Sequence, residues 1–537
     1  MAEASTPTTQ ALTHTSCALS GRSELAALVL ILLVAALFRL PLLGQVPNGL
    51  FLDEASRGYD AYALLHTGAD QYGVRWPLFA EGLDDYTPTL YTLLVIPSVA
   101  LLGLTEMAVR VPAALAGIAT VGTTFLCGRA LLGSTAGLAG AALVAISPWH
   151  ILPSRTGAEW VLLPLFMTAG IWLLARGRHD GRSLVLAGLV LGVALYSYAF
   201  ARLLVPLLAA GFVGLWWRDL VPRWRWGLAG AVLLVLLAVP IIAFGLTPAG
   251  QARLGTVVPF DRYRGLTLIP YFLGNLASYF DPNFLIWGSE PTHFHRVAGF
   301  GPILWLMIPL ILLGLVWAAI KPSRGAFYCL WWIVAAPVSA ALHRESPSSV
   351  LLLGAVGSWH LLAGLGVAAI ARPVAGGRRR YLTRVAMGCV LVAAVITAGL
   401  VAQALYQEYP VYAADDWLYG ARDTVTFLDE NRAQYDGVLV SDRLATPHVL
   451  VLFYAKVDPA TYQRAPIHVR QPNVRSRGEI GLYRFGRTAE LLGLPGRYLV
   501  WLPADEARSV FRDRPPLLTV SLPDGQPTRY VYETDRR

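Results

Sequence analysis

Apolar segments long enough to cross a bilayer recur between residues 25 and 405 of this 537-residue chain and stop beyond that point. A helix needs roughly 20 residues to cross about 30 Å of hydrocarbon. Because 55% of the residues are hydrophobic and only 14% are charged, the chain is too apolar for a soluble globular protein of this length. The sequence therefore predicts a polytopic α-helical membrane protein that ends in a soluble domain.

The basic residues lie mainly in short loops between the apolar segments, although the formal net charge is +9. Arginine-rich short loops are typical of the cytoplasmic side of a membrane protein, whereas nucleic-acid binding needs a basic face. We therefore expect no nucleic-acid partner. The loops expected in the cytoplasm are 176–182, 218–225, 321–324 and 372–384. The segments expected outside are 147–159, 247–299, 343–349 and 406–537.

This topology gives about eleven full crossings of the cell membrane, with a cytoplasmic N-terminus. The segment 88–103 is short and contains Pro97, so we expect a re-entrant or interfacial helix there; a short full crossing is the alternative. We expect an uncleaved first crossing, with a cleaved signal peptide as the alternative. The expected domains are a disordered tail (1–22), a membrane domain (23–405) with exterior loops 44–87 and 247–299, and an exterior α/β domain (406–537).

Ionisable residues in apolar surroundings converge on the outer face in this topology. Asp53 and Glu54 stand side by side where the chain leaves the first membrane segment. Such groups are costly at a membrane boundary and by default indicate a functional site. The other members of this polar cluster are Asp84, Asp85, Tyr86, Arg155, Glu159, Arg202, His293, His295, His343, Arg344 and Glu345.

Carboxylates beside arginines at this depth suit the transfer of a group from an anionic lipid. Arginines hold and neutralise a phosphate leaving group, and a carboxylate takes the proton from an incoming hydroxyl. Arg155 and Arg202 are, alternatively, interface anchors. Glu159 alternatively supplies charge at a helix N-terminus, and Asp84 with Asp85 forms a solvated turn. Their occurrence together on one face favours a site.

Several stretches of the sequence resemble one known group of proteins. They read DEASRGYDAYALLHTGADQYG (53–73), DDYTPTLYTLL (84–94), VRVPAAL (109–115), SPWHILPSR (147–155) and FARLLVP (200–206). Over residues 25–405 the chain resembles membrane glycosyltransferases of the GT-C fold, which include protein O-mannosyltransferases and lipid A aminoarabinose transferases. The adjacent Asp and Glu of the first exterior loop are the most specific part of this resemblance.

The resemblance implies inverting transfer of a sugar from a polyprenyl-phosphate donor to a hydroxyl of a lipid, glycan or protein acceptor. It implies a catalytic pair in which Asp53 is the general base and Glu54 is its neighbour and substitute. We expect the first exterior loop that carries them to be irregular. One departure is that Tyr86-Thr87-Pro88-Thr89 stands where many relatives have a lysine before the proline, so an arginine must substitute for it or the donor differs. The candidates for donor or acceptor binding are Arg57, Asp85, Tyr86, Arg155, Glu159, Arg202, His343 and Arg344, of which Arg202 and Arg344 are the candidates for the donor phosphate.

His293 and His295 are weak candidates for a metal site. Two histidines at this spacing present two imidazoles, which would bind a metal with Glu290 or with a first-loop carboxylate. The favoured interpretation is a mobile loop over the donor, in which the histidines bond to phosphate or to backbone. No metal or other cofactor is therefore assigned, and a divalent metal stays an open alternative.

Beyond residue 406 the pattern changes to short strands and helices. ARDTVTFLDENRAQ is typical of a helix, GVLVS of a strand, PHVLVLFYA of a second helix and RYLVWL of a later strand. We favour a lid or packing domain over an acceptor-binding module. The main rival function for the whole chain is a transporter or lipid flippase, which typically shows two related halves with sites near the midplane. No internal repeat is visible here. A structural or sensory membrane protein is the second rival.

Overall fold

The computed structural model describes residues 21–82, 86–263, 265–290, 292–372, 377–465, 468–471, 474–476, 479–512 and 514–534. Helices dominate up to residue 412, and a mixed sheet with short helices follows, which confirms the expected fold class. The elements up to residue 403 are α1 (Gly21–Arg39), α2 (Leu52–Thr67), β1 (Phe79–Glu81), β2 (Tyr86–Pro88), α3 (Leu90–Leu102), α4 (Glu106–Leu132), α5 (Ser134–Ile146), α6 (Pro148–Ile151), α7 (Leu162–Gly177), α8 (Gly181–Ala194), α9 (Ala201–Leu220), α10 (Trp224–Gly245), α11 (Pro248–Val257), α12 (Leu268–Ser278), α13 (Pro282–Trp287), α14 (Met307–Ile320), α15 (Arg324–Ala340), α16 (Ser358–Ile370) and α17 (Gly377–Gln403).

Six helical stretches in the described part of the chain are long and apolar enough to cross a membrane. A bent pair, Ser134–Ile146 and Pro148–Arg155, is a seventh candidate, with 68° between its two parts. The shorter helices α3, α8 and α14 are also apolar. The chain is therefore a multi-pass membrane protein, and the count of about eleven crossings stays a prediction. The six candidates are Gly21–Arg39, Glu106–Leu132, Glu159–Gly177, Ala201–Gly245, Leu351–Ile370 and Arg380–Tyr412.

The segment expected to be re-entrant or interfacial forms α3, a helix of 13 residues. At 1.5 Å per residue such a helix is about 20 Å long, which falls short of a hydrocarbon core of about 30 Å. The Tyr91 hydroxyl donates to the Val109 carbonyl of α4 at 2.8 Å, and the Ser98 hydroxyl donates to the Ala108 carbonyl at 2.6 Å. The length and the packing of α3 both agree with an incomplete crossing.

We expected an irregular first exterior loop, and this prediction is wrong. The loop contains the 16-residue helix α2. The backbone N–H of Phe51 donates to Oε2 of Glu54 at 3.2 Å, which caps the first turn. Asp53 and Glu54 also place negative charge at the positive end of the helix dipole. Gly68 ends the helix in the left-handed region, with φ of 70°. Both acids of the predicted site therefore stand on the first turn of a regular helix.

Arg155 binds the backbone at the end of α1 and in the segment between α1 and α2. Its guanidinium donates to the carbonyl oxygens of Phe38, Pro41 and Val46 at 2.8–3.0 Å and lies over the Tyr406 ring, 5.2 Å from its centroid. Buried backbone carbonyls need hydrogen-bond donors, and Arg155, itself fully buried, supplies them. The surrounding segment 147–159 is buried within the protein because its apolar side chains join the core of the membrane domain, and its placement on the outer side stays a prediction.

Arg110 on α4 forms a buried ion pair with Glu54 on α2. The Nε and Nη2 atoms of Arg110 donate to the two carboxylate oxygens at 2.9 Å each, and neither side chain is more than 2% exposed. Arg110 also donates to the carbonyl oxygens of Pro47 and Gly49. The backbone N–H of Gly157 donates to Oε1 of Glu54 at 2.5 Å. These contacts join α2, α4, the loop before α2 and the segment before α7 at one point.

The C-terminal domain is built on a six-stranded sheet with the order β6-β7-β3-β8-β10-β9. The central strand β3 is parallel to both of its neighbours, and the other pairings are antiparallel. The predicted strand GVLVS and the helices predicted on either side of it are confirmed. The elements are α18 (Tyr409–Tyr412), α19 (Ala421–Asn431), β3 (Gly437–Ser441), α20 (Pro447–Tyr454), α21 (Pro459–Arg464), β4 (His468–Gln471), β5 (Val474–Ser476), β6 (Glu479–Ile480), β7 (Tyr483–Gly486), α22 (Thr488–Leu491), β8 (Tyr498–Pro503), α23 (Ala504–Val510), β9 (Leu518–Ser521) and β10 (Pro527–Glu533).

This domain packs directly on α2. The Tyr59 hydroxyl donates to the Val457 carbonyl at 3.0 Å. A Cβ atom at Gly58 would lie 2.6 Å from the Phe453 ring, so only glycine allows α20 to approach α2 this closely. One hydrophobic cluster is shared by α2, α3, α4 and the C-terminal sheet. The C-terminal domain and the membrane helix α4 therefore both pack against α2 around Gly58.

The ion pair between Glu54 and Arg110 is expected to dominate the stability of this region. Glu54→Gln leaves the Arg110 charge buried without its counter-ion, which should lower the free energy of unfolding by about 3–5 kcal/mol. The measurement is denaturant-induced unfolding of the purified protein in detergent. The matched control is Asp53→Asn, the same loss of charge on the adjacent residue, whose side chain is 37% exposed. Equal stability of the two variants would contradict the prediction.

Candidate active site

A cavity of about 280 Å³ opens beside the first turns of α2. Its walls come from α2, the β1–β2 hairpin, the segments before α7 and α9, and the C-terminal domain. This volume is near the lower end of the range for small-molecule sites. Its lining contains four acidic side chains and one arginine. The charged and polar residues that matter below are Asp53, Arg57, Asp60, Glu81, Glu159 and Thr446.

Arg57 stands between two of the acids in the cavity. Its Nη1 and Nη2 atoms each lie 3.4 Å from Oδ2 of Asp53, one turn earlier on α2. Its Nη2 atom also lies 2.5 Å from Oε2 of Glu159. The Asp53 side chain is 37% exposed, against 9% for Arg57 and 5% for Glu159. Asp53 is therefore an oriented carboxylate that still opens towards the cavity.

Glu54 is directed away from this arrangement, although it follows Asp53 in the chain. Successive residues on an α-helix are about 100° apart around the axis. The Glu54 carboxylate accepts hydrogen bonds from Arg110 and from the N–H groups of Phe51 and Gly157, and the residue is 1% exposed. With these donors its lone-pair sites are occupied. This placement favours a structural role for Glu54 over the expected catalytic one.

His295 of the long exterior loop approaches Asp53 from another side. A second, smaller cavity shares Asp53 and Trp160 with the first and also contains His295. Burial lowers the pKa of His295 to about 4, while the Asp53 carboxylate acts in the opposite direction. The imidazole is therefore neutral at physiological pH. Its Nδ1 atom has no hydrogen-bond partner among the described residues, which leaves it available to a substrate oxygen or hydroxyl.

The described residues contain no group of three or more His, Cys, Asp or Glu side chains that could hold a metal ion. Glu290, considered with the histidines as a ligand, accepts hydrogen bonds from the N–H and the hydroxyl of Ser349 at 2.7 Å each. It is therefore engaged by the segment that follows α15. The side chain of His293 lies outside the described set.

A series of aromatic contacts leads from the cavity to His343. The Tyr198 ring lies 6.4 Å from that of Trp160, which lines the cavity, and 5.1 Å from that of Phe200. The Phe200 ring lies 5.5 Å from that of His343. Phe200 stands directly before α9 and His343 follows α15, so this contact brings the start of α9 close to the segment after α15.

Arg344 follows His343 and forms an ion pair with Asp261. It also donates to the Gly255 carbonyl at 3.0 Å. The side chain of Arg344 is 30% exposed and that of Asp261 is 57% exposed. An exposed ion pair of this kind contributes little to stability and can be exchanged for a pair with another anion.

Of the remaining residues expected in the site, Tyr86 contacts the cavity lining and Arg155 is engaged elsewhere. The Tyr86 hydroxyl donates to Oε2 of Glu81 at 3.2 Å, and Glu81 lines the cavity. Asp84 and Asp85 lie outside the described residues. The guanidinium of Arg155 is occupied by the backbone carbonyls before α2. The structure therefore does not support its expected role in donor or acceptor binding.

Sequence analysis misses several residues of this region, among them Arg110, Asp60 and Thr446. Arg110 carries a usable signal, because a single charge within an apolar segment is costly and needs a partner. Asp60 follows Asp53 by seven residues and so shares its helix face, but this spacing is informative only once α2 is known to be helical. Thr446 carries no local signal, because its place in the cavity depends on how the C-terminal domain packs on α2.

One family profile matches part of the chain. The profile of the dolichyl-phosphate-mannose-protein mannosyltransferase family matches residues 87–243, which run from β2 to α10. This stretch contains Arg110 and Glu159. No curated protein matches the sequence.

Solved structures match the fold over most of the chain. ArnT from Cupriavidus metallidurans bound to undecaprenyl phosphate has a TM-score of 0.59 and 13% identity, over 96% of this chain and 98% of that chain. Its apo state gives 0.53 and 14% over the same shares. The Archaeoglobus fulgidus oligosaccharyltransferase tethered with an acceptor peptide gives 0.52 and 13%, over 81% of this chain and 63% of that chain. At such low identities these likenesses show the fold alone. Taken with the family match, they confirm the predicted GT-C fold and resemblance, and they support assignment of the chain as a membrane glycosyltransferase.

Proposed function

We propose that the protein transfers a sugar from a polyprenyl-phosphate donor to an acceptor hydroxyl at the outer face of the membrane, with inversion. The observation that carries this proposal is the placement of Asp53. Its carboxylate is held by Arg57, opens to the cavity and stands on a helix fixed from both sides. A carboxylate so placed suits removal of a proton from an attacking hydroxyl.

Two structural relatives support the two classes of substrate. ArnT from Cupriavidus metallidurans binds undecaprenyl phosphate, and the Archaeoglobus fulgidus oligosaccharyltransferase was captured with an acceptor peptide. By analogy, the donor of this chain is a sugar linked to a polyprenyl phosphate. The acceptor class, whether lipid, glycan or protein, stays open.

The cavity suggests how the acids and the arginine divide the work. Asp53 accepts the proton of the acceptor hydroxyl as that oxygen attacks the anomeric carbon. Arg57 orients Asp53, and Glu159 holds Arg57 through a second ion pair. In a single displacement the phosphate leaves from the face of the sugar opposite to the attacking oxygen. The neutral imidazole of His295 supplies a hydrogen bond to a substrate oxygen or hydroxyl beside Asp53.

The donor phosphate is assigned to Arg202 and Arg344. Arg202 follows Phe200 by two residues and Arg344 follows His343 directly, and the rings of Phe200 and His343 lie 5.5 Å apart. A phosphate that binds Arg344 replaces Asp261 as its partner. Charge-assisted hydrogen bonds from guanidinium groups would stabilise the negative charge that grows on the leaving group.

The C-terminal domain closes the acceptor side of the cavity. Thr446, the residue before α20, lines the cavity opposite the membrane helices. Since the donor is embedded in the bilayer, the acceptor enters from the side of this domain. The position of Thr446 favours the lid or packing role that the sequence predicts for the C-terminal domain. Thr446 is then the residue of this domain that faces the substrate.

The first test concerns the base. Asp53→Asn keeps the size of the side chain and removes its basicity, so we expect sugar transfer to fall by about 10²–10⁴. The measurement is transfer from a panel of synthetic polyprenyl-phosphate sugars by the purified protein. Donor binding and unfolding should stay near those of the wild type. Glu54→Gln should lower transfer less, and only as far as it unfolds the protein. Wild-type transfer by Asp53→Asn would remove this residue from the catalytic role.

The second test concerns the donor phosphate. Arg202→Ala and Arg344→Ala should each weaken donor binding by about 2–5 kcal/mol if the contact is desolvated. Lysine at either position should restore only part of the loss, because an ammonium cannot reproduce the guanidinium fork. Arg176→Ala, on the side expected to face the cytoplasm, is the matched control; its side chain is 58% exposed. Unchanged donor saturation in both alanine variants would assign these arginines to packing.

The third test concerns orientation. In a cysteine-free background, Ser289→Cys and Ser509→Cys should react with an impermeant thiol reagent in intact cells, whereas His179→Cys should react only after permeabilisation. All three positions are exposed on the protein surface. The opposite pattern would place the cavity on the cytoplasmic side and contradict the proposed topology.

A further inference from the structure

The face of α2 that lines the cavity continues beyond the proposed base. Asp53, Arg57 and Asp60 all line the cavity, and their spacing of three to seven residues puts them on one side of the helix. Seven residues of helix separate Asp60 from Asp53 by about 10 Å along the axis. That distance is roughly two turns, towards the part of α2 on which the C-terminal domain packs. Asp60 therefore lies on the acceptor side of the cavity.

Asp60 has no ion-pair partner among the described residues. The one cation on its helix face, Arg57, is engaged by Asp53 and Glu159. The residue is only 3% exposed, and its Oδ1 atom accepts a hydrogen bond from the backbone N–H of Gln71 at 3.0 Å. A buried carboxylate without a counter-ion is costly, so a neutral carboxyl is favoured at this position.

The neighbouring acid reinforces this state. Burial raises the pKa of Asp70 as well, against the lowering effect of the hydrogen bonds that it accepts from the N–H groups of Tyr72 and Val74 at 2.9 Å each. Burial, and secondly the nearby Asp70, raise the pKa of Asp60 well above its usual value. Below that pKa the carboxyl is protonated and can donate as well as accept a hydrogen bond.

The other residues that line the cavity indicate which charge a ligand of the Asp60 carboxyl can carry. Asp53, Glu81 and Glu159 stand against Arg57, so the walls carry an excess of acidic groups. An anionic acceptor would be repelled here, and the donor phosphate has to lie elsewhere. A hydroxyl-bearing, uncharged ligand fits both the acidic walls and a neutral carboxyl that donates a hydrogen bond.

We propose that Asp60 binds an uncharged, hydroxyl-bearing acceptor by donating a hydrogen bond from a protonated carboxyl. The inference deepens the proposed function and rests on it for the identity of the ligand as an acceptor. Asp60 thus differs in role from Asp53, since one acid acts as a donor and the other as a base. The substitution of Asp by Asn should therefore act differently at the two positions. It should abolish sugar transfer at Asp53 and preserve binding of the neutral ligand at Asp60.

The binding test uses a matched pair of probes, methyl glucoside and its carboxylate analogue methyl glucuronide, observed by saturation-transfer NMR with the purified protein. The wild type and Asp60→Asn should bind the neutral probe alike, because the amide N–H₂ of asparagine also donates. Asp60→Ala should bind it about 10-fold more weakly. The anionic probe should bind weakly in all three. Equal binding of both probes, or no effect of Asp60→Ala, would overturn the proposal.

The protonation state is tested without any ligand. Infrared difference spectra between the wild type and Asp60→Asn at neutral pH should contain the C=O stretch of a protonated carboxylic acid. Its absence would overturn the proposal. Unfolding curves for both Asp60 variants show whether a loss of binding in Asp60→Ala reflects a folding defect; if it does, the infrared result alone decides.

The pH profile gives a third readout. As pH rises through the raised pKa of Asp60, the wild type should lose affinity for the neutral probe, whereas Asp60→Asn should not. A flat wild-type profile with an ionised Asp60 would overturn the proposal. The titratable and charged groups around Asp60 are Asp53, Arg57, Tyr59, Asp70, Tyr72, Glu81 and Glu159.

The transfer assay separates this inference from the proposed function. If Asp53→Asn abolishes transfer while Asp60→Ala changes neither probe binding nor the acceptor KM, the transferase stands and the role of Asp60 is wrong. If probe binding and the infrared band depend on Asp60 as expected but Asp53→Asn transfers sugar normally, the binding site stands and the proposed catalysis fails.

Discussion

The buried ion pair between Glu54 and Arg110 is the interaction on which the site depends. It joins the first turn of α2 to the membrane helix α4, and the same two side chains satisfy the backbone of the loop before α2 and of Gly157. Charges removed from water are stable only when such a network completes their hydrogen bonds. Because this network is complete, the first turn of α2 has one position relative to the membrane domain.

That rigidity explains why two adjacent carboxylates have different environments. On a helix, neighbouring residues diverge in direction, so the turn that buries Glu54 leaves Asp53 facing the cavity. A general base gains most from an orientation that does not change during the reaction. The structural acid thus fixes the direction of the catalytic acid that we propose, and only the latter remains open to a ligand.

The C-terminal domain completes the cavity and opposes the rival functions. Its packing on α2 through Gly58 and Tyr59 brings Thr446 over the cavity. A transporter or flippase needs a path through the membrane domain between its two sides. The acidic cavity instead lies between α2, the β1–β2 hairpin, the segments before α7 and α9 and the α/β domain, which suits a reaction site at the membrane boundary.

The sequence alone predicted the membrane character and the change to an α/β domain after residue 406, and it indicated the acids at 53 and 54 as candidates for the site, because hydrophobic length, periodicity and a local motif are properties of the linear chain. It also identified Glu159 and His295, which the fold brings near Asp53. It separated Asp53 from Glu54 only through the resemblance, and it did not pair Arg155 with the backbone before α2 or reveal Asp60 and Thr446. Those assignments depend on burial and on contacts between residues far apart in sequence, such as Glu54 with Arg110, and only the packed tertiary structure decides which charges are paired and which face a ligand.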